Sequence, residues 1–342
     1  MIPPGIDPHG LLVVVDLSWW IHKAFALGGV DGMVSTVVGW LVRLLEEPAP
    51  PMLAVALDSV GPTWRHRRTE GFAPERQYKA NRERKPREFH LQARRILEII
   101  GMHQIPAFWA EGWEADDSIA AAVEQAQRAG LTTAILTADK DLGQLVRSGP
   151  AGVYIWDGDA SVRGPAEIEE RWGVPPALLG DALAIIADKS DNLQGADGLG
   201  EKAAAAILRA HGSLAAAFAA ETPDVRAQVK DFERRLAAAK RKKEPTETLA
   251  AELAAGRAVQ HLAKATMRLQ ECRDAVELSR ELIELDPQAP IAWDLDALPV
   301  GGFDGPRLSD VYANLGFTRL ARVVRSTAKP RFEDILIEEP AA

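Results

Sequence analysis

The sequence predicts an α/β protein whose mostly parallel central sheet is flanked by helices and followed by a helical C-terminal region. Three observations point there. Short apolar runs rich in β-formers alternate with helical stretches in the first half, the runs cease after about Gly173, and several of them end in an aspartate.

Residues 11–15 (LLVVV) run into Asp16 and read as a buried parallel strand. A helical period over 34–45 is stopped by Pro48, Pro50 and Pro51. Residues 52–57 form a second strand that leads to Asp58. A helix over 91–100 closes at Gly101, 105–109 reads as a strand, and a helix over 114–129 is capped by Gly130. Strands at 133–136, running into Asp139, and at 153–156 follow. Beyond Gly173, helices are expected at 175–187, 201–210, through 225–285 and again over 307–324, with 340–342 as a frayed tail. The division is an α/β domain over 1–173 and a helical region over 174–342.

The 342 residues are 47% hydrophobic and 26% charged, the balance of a soluble globular chain. The longest purely apolar runs are too short to span a bilayer and no secretory leader opens the chain, so no membrane association is expected. The single Cys272 excludes an intramolecular disulfide and argues against a thiolate zinc site. A reducing, cytoplasmic and nucleoid-associated location fits these features.

The net charge of −9 hides a local reversal. Residues 65–95 hold eleven Lys/Arg against four Glu, a net of seven positive charges that leaves sixteen negative on the rest. A local patch of this kind steers a polyanion. The run Lys240–Lys243 is either a solvated helix end or a contact for a phosphate backbone.

Asp16, Asp58 and Asp139 each fall at or just past the carboxyl end of an expected parallel strand, the rim where open α/β sheets bind ligands. Glu114, Asp116 and Asp117 open a helix, Asp141 follows Asp139 by two, and Asp188 and Asp191 are three apart. Singly, each reads as a cap or a helix-start acid. Gathered together they would repel, and hard divalent cations relieve that cost. Two such ions are the usual device for phosphodiester hydrolysis.

These residues resemble the 5′ nuclease family, the flap endonucleases and the 5′→3′ exonuclease domain of bacterial DNA polymerase I. The resemblance rests on Val-Val-Asp16, Leu-Asp58, Tyr78-Lys79-Ala-Asn-Arg82, Glu114-Ala-Asp116-Asp117, Thr-Ala-Asp139-Lys-Asp141, Asp188-Lys-Ser-Asp191 and Gly195-Ala-Asp-Gly198-Leu-Gly200-Glu-Lys202. It implies a PIN-like 5′ nuclease fold and two Mg²⁺, with Mn²⁺ as a substitute. One pocket would use Asp16, Asp58, Glu114 and Asp116. The other would use Asp117, Asp139, Asp141, Asp188 and Asp191, with the division between them open. It further implies Lys79 and Arg82 as the basic pair on the scissile phosphate, in a helical arch over about 62–90. Arg65 and Tyr78 would meet nucleic acid there, with Phe72 and Trp64 as further stacking candidates. A helix–hairpin–helix over about 188–215 would hold the duplex through Gly198, Gly200 and Lys202, with K⁺ at its turn.

The implied activity is metal-dependent 5′→3′ exonuclease and flap endonuclease action, by a monomer, on DNA with 5′ ends, 5′ flaps or single-strand/double-strand junctions. With no polymerase domain following, a stand-alone enzyme is expected. The chain departs from the family pattern in a longer arch interrupted by Pro74, in Lys23 for Arg, in Ala187 for the Gly before Asp188 and in Gln194 for Pro. None of these removes an expected metal ligand. A nuclease preferring RNA, an inactive junction-binding protein and a small-molecule phosphohydrolase are the alternatives. The last leaves the basic segment without a purpose.

Overall fold

The computed structural model describes residues 1–46, 48–158, 161–242, 245–295, 298–299 and 302–326. It divides into two compact units, one of residues 1–70, 82–167 and 285–342, the other of residues 71–81 and 168–284.

The first unit is built on a sheet of order β3-β2-β1-β4-β5-β6. Its strands are β1 (Leu11–Asp16), β2 (Met52–Ala56), β3 (Ala107–Phe108), β4 (Thr132–Leu136), β5 (Val153–Trp156) and β6 (Val162–Arg163). All pairings are parallel except β5 with β6. Every residue of β1 is buried, as a central strand covered on both faces requires. The register sets Val15 opposite Val55 on one side and Leu136 on the other, so β1, β2 and β4 end at a common level. Since β1 lies between β2 and β4, the connections leave it in opposite directions, and that is where such sheets open a crevice.

Helix α1 (Leu17–Leu45) starts immediately after β1, about five turns earlier than the 34–45 expected. It is kinked at Gly29, whose φ of 60° and ψ of −163° leave helical geometry. By length and hydropathy α1 could cross a membrane; here Leu17, Trp20, Ile21, Met33 and Val37 face the sheet core. Short α2 (Trp64–Thr69), α3 (Arg87–Met102) and α4 (Ala115–Arg128) follow. The segment expected as a helical arch over 62–90 is helical only in α2, in one 3₁₀ turn at Pro74–Arg76 and from Arg87 onward. Pro74 and Pro86 stand at the starts of the latter two, where their fixed φ is tolerated.

The second unit is helical: α5 (Pro165–Trp172) leads in, then α6 (Leu179–Ile186), α7 (Glu201–His211), α8 (Leu214–Ala219), α9 (Arg226–Lys242), α10 (Glu247–Glu271) and α11 (Arg273–Ile283). Leu183, Ile207, Leu208, Phe218, Leu269, Val276 and Leu282 are buried there. Arg280 of α11 donates to Asp181 of α6 at 2.6 Å, and the other Asp181 oxygen accepts from the Leu214 amide at 3.0 Å.

Residues from 285 on return to the first unit, whereas the sequence division keeps them with the helical region. The cause is apolar. From α12 (Gly305–Asn314) and α13 (Thr318–Ser326), Leu308, Tyr312, Leu320, Ala321 and Val324 join the core that also holds Phe89, Ile96, Ile99 and Ile100 of α3. His103 and the Tyr312 hydroxyl share a buried hydrogen bond. The tail at 340–342 lies outside the described residues.

Candidate metal centre

In the first unit, Asp16 ends β1 and caps α1. One carboxylate oxygen accepts from the Trp19 amide at 2.9 Å and the other from the Thr137 hydroxyl at 2.9 Å. Thr137 in turn accepts from the Asp139 amide at 3.0 Å, and Asp139 accepts from the Asp141 amide at 2.9 Å. One relay thus orients the acids that follow β1 and β4. Asp58, two residues past β2, accepts from the Ala115 amide at the start of α4 at 2.9 Å, while its own amide donates to Ser18 at 2.9 Å. Glu114 caps α4 and Asp116 lies in its first turn.

The electrostatics record how close these groups stand. Burial first, then the charges of Asp139 and Asp58, push the Asp16 carboxyl up to about 7, against the hydrogen bonds from Trp19 and Thr137. Asp116 is raised well above the usual carboxylate range by burial, then by Asp139, Asp16, Asp141 and Glu114. Asp16, Glu114, Asp116, Asp139 and Asp141 therefore share one electrostatic neighbourhood, which Asp58 joins through Asp16. The donor set is carboxylate oxygen throughout, which fits hard divalent cations.

Asp117, expected among the metal ligands, sits differently. It is fully buried and takes a forked pair of hydrogen bonds from Arg65, the Nη2 contact at 2.9 Å. It also accepts from the amides of Asp286 at 2.9 Å and Glu114 at 3.3 Å. Arg65, expected on nucleic acid, is 2% exposed and turned inward to Asp117, with Glu114 at 3.6 Å. A run of surface-seeking arginines conceals one that the fold draws inside, and its partner lies 52 residues away. Thr137 and Asp286 escaped the sequence reading because a Thr before Ala-Asp and an Asp after a helix carry no distinctive spacing.

In the second unit, α6 ends at Ala187, which adopts φ 80° and ψ 155°. The turn beyond brings Asp188 and Asp191 together: the Ser190 amide and hydroxyl donate to Asp188 at 2.8 and 2.6 Å, and the Asp191 amide donates to the Asp188 carbonyl at 3.3 Å. Residues 71–81 pack here. The Lys79 amide donates to the Asp191 carbonyl at 3.0 Å, and its amine lies 3.7 Å from the Asp191 carboxylate. Tyr78, expected to meet bases, has a buried ring, and its hydroxyl donates to Asp191 at 3.0 Å. Trp64 and Arg82 belong to the first unit: the Trp64 ring carries the Arg65 guanidinium at 4.5 Å, and Arg82 is exposed.

The hairpin from 187 to 200 joins α6 to α7. The Ala196 amide donates to the Ile185 carbonyl at 2.8 Å, and a Cβ at Gly195 would strike that carbonyl and the Ala187 amide. Gly198 has φ 82° and Gly200 caps α7, its carbonyl accepting from the Ala203 and Ala204 amides at 3.0 Å, so that the amides of Glu201 and Lys202 are the ones left without an intrahelical acceptor. Lys202 is exposed on that turn, and Arg268 of α10 donates to the Asp197 carbonyl at 2.9 Å.

An α/β sheet whose strand ends collect carboxylates makes the first unit an α/β protein with a candidate metal centre, and the helical second unit carries a glycine hairpin. Residues 12–173 match the family described as 5′-3′ exonuclease, N-terminal resolvase-like domain, and residues 174–306 match 5′-3′ exonuclease, C-terminal SAM fold. The chain belongs to the 5′-3′ exonuclease family. DNA polymerase I of Rhizobium leguminosarum is 31% identical over 331 residues, covering 92% of this chain and 28% of that protein. DNA polymerase I of Chloroflexus aurantiacus is 30% identical over 348 residues, covering 97% and 32%. The chain thus spans about a third of the length of these relatives. Among solved structures, T5 5′-exonuclease with bound zinc aligns at TM-score 0.53 and 18% identity, covering 81% of this chain and 99% of that one. The catalytic core of Rad2 in complex with DNA substrate aligns at 0.52 and 15%, covering 89% and 86%. Both likenesses are of fold.

Proposed function

We propose that this chain is a structure-specific 5′ nuclease that hydrolyses DNA phosphodiesters at 5′ ends and 5′ flaps, using two divalent cations, Mg²⁺ or Mn²⁺. The observation that carries the reading is the burial and crowding of acids at the carboxyl ends of β1, β2 and β4 and the start of α4, which push Asp16 up to about 7 and hold Asp116 well above the usual carboxylate range. Burying like charges together is costly unless cations neutralise them. That one structural relative holds divalent metal and another a DNA substrate supports the same reading.

Asp16, Asp58, Glu114, Asp116, Asp139 and Asp141 are the proposed ligands of the first unit, and Asp188 and Asp191 those of the second. Asp117 leaves the ligand list, because its oxygens serve Arg65 and two backbone amides. Bound divalent cations would supply Lewis-acid chemistry, activating water and stabilising the departing oxygen. Thr137 orients Asp16 and Asp139 through its hydroxyl. Lys79 and Arg82 hold the scissile phosphate, Lys79 as a point charge released from Asp191 and Arg82 as a fork. Gly198, Gly200 and Lys202 present amides and an amine to the duplex backbone without reading sequence, with K⁺ a candidate at the turn.

A 5′-flap duplex incubated with Mg²⁺ tests this. Cleavage near the junction is expected, abolished in Asp139→Asn/Asp141→Asn. An uncut flap, or a double variant as active as the parent, refutes it. An RNA flap of the same sequence, cut faster than the DNA, moves the substrate to RNA.

A further inference from the structure

Helix α9 carries charge that neither the fold nor the proposed chemistry uses. Its inner side packs on α10, with Val229 and Phe232 lying against Gly256, where a Cβ would stand 3.4 Å from both side chains. Leu253 and Ala239 are buried in the same helix pair. At 100° per residue, the opposite side carries Arg226, Lys230, Arg234 and Arg241 within about 80° of arc, a stripe roughly 22 Å long. Lys240 and Lys242 flank its end.

Both acids of α9, and Glu252 and Glu271 of α10, are already committed. Asp231 pairs with Arg234 and Glu233 with Arg257 at 2.7 Å, Glu252 lies 3.7 Å from Arg235, and Asp224 takes Arg226 at 3.6 Å. Among the described residues, Lys230, Lys240, Arg241 and Lys242 form no ion pair and are exposed. A helix C-terminus favours a cation in its last turn, but that accounts for the terminal cluster alone and not for Lys230, three turns back. The stripe is moreover tied to the hairpin. Helix α10 packs on α7, and its Arg268 grips Asp197 between Gly195 and Gly198.

We propose that the outer face of α9 is a second contact for duplex DNA, in which Lys230, Lys240, Arg241 and Lys242 neutralise backbone phosphates beyond those reached by the hairpin. It rests on the DNA substrate proposed above. The contact reads no bases, since cations on phosphates give affinity and position without sequence preference. It acts on binding of the duplex arm and leaves the chemical step alone.

The test compares the parent with Lys230→Gln/Lys240→Gln/Arg241→Gln/Lys242→Gln and with a charge-keeping Lys230→Arg/Lys240→Arg/Lys242→Arg variant. Affinity for a labelled 30-base-pair duplex, and for the same duplex carrying a 5′ flap, is measured by anisotropy in EDTA over a salt series. The four-Gln variant should bind both at least ~10-fold more weakly, with a log–log salt slope shallower by about 3 to 4, near 0.9 for each phosphate no longer neutralised. Its single-turnover cleavage at saturating enzyme should match the parent, and the Arg variant should bind like the parent. Unchanged affinity and slope in the four-Gln variant, while the parent binds and cuts DNA, overturns this inference alone. A parent that binds neither DNA overturns it together with the substrate assignment. Equal weakening in the Arg variant also overturns it, since charge would then not be the cause.

Discussion

Arg65 and Asp117 meet as a buried, two-pronged ion pair that ties α2 to the first turn of α4, the helix whose start carries Glu114 and Asp116. The amide of Asp286 donates to the same carboxylate, so three chain segments converge on it. The pair sets where the candidate ligands on α4 stand without itself joining them.

Removing one partner leaves the other charged and buried. Arg65→Met should cost roughly 3–5 kcal/mol of unfolding free energy. Arg65→Met/Asp117→Leu, which removes both charges, should recover much of that loss. Urea denaturation of both variants checks it, and a single variant with the parent's stability would show that the pair is dispensable.

Ala187 occupies a conformation that essentially only glycine adopts freely, with φ 80° and ψ 155°. Ala187→Gly should therefore stabilise the protein by about 1–2 kcal/mol despite glycine's greater freedom when unfolded. A rise in the urea midpoint at unchanged m-value is the expected readout. A fall would mean that this backbone is not strained.

His103 is buried beside Tyr312, and burial lowers it from its ordinary 6.5 to about 4. Above pH 6.5 both folded and unfolded forms are neutral there, and the group contributes nothing to the pH dependence. As pH falls from 6.5 toward 4 the unfolded chain takes a proton that the folded chain refuses, so stability drops by about 1.4 kcal/mol per unit. Comparing unfolding at about pH 7.5 and about pH 5 in EDTA, the parent should lose about 2 kcal/mol that His103→Gln does not lose. Parallel profiles would remove His103 as the cause.

Lys79, whose amine lies 3.7 Å from Asp191, is poised between counter-charge and phosphate ligand. Lys79→Ala should slow single-turnover flap cleavage by at least ~10²-fold, the scale of losing one donor to the transition state. Full turnover at saturating metal would confine Lys79 to holding Asp191.

What the sequence disclosed follows from locality. Asp16, Asp58 and Asp139, which follow three of the apolar runs, mark those strand ends directly, and the alternation of runs marks the parallel sheet. Distant pairings are what it hides. Arg65 looks like its exposed neighbours because nothing nearby reveals an Asp 52 residues on. Tyr78 looks like a stacking ring until Asp191, 113 residues away, takes its hydroxyl. The same holds for Tyr312, whose meeting with His103 draws the last helices back to the first unit. The early start of α1 is hidden for a related reason, since the core it buries continues on both sides of the kink at Gly29.

The central claim is that the clustered carboxylates hold divalent cations, and Mn²⁺ binding followed by electron paramagnetic resonance tests it most directly. The parent should take up two ions per chain saturably, and Asp139→Asn/Asp141→Asn should lose at least one without loss of helical content. A parent with no saturable binding at millimolar Mn²⁺, or a double variant that binds both ions as tightly, would contradict the account.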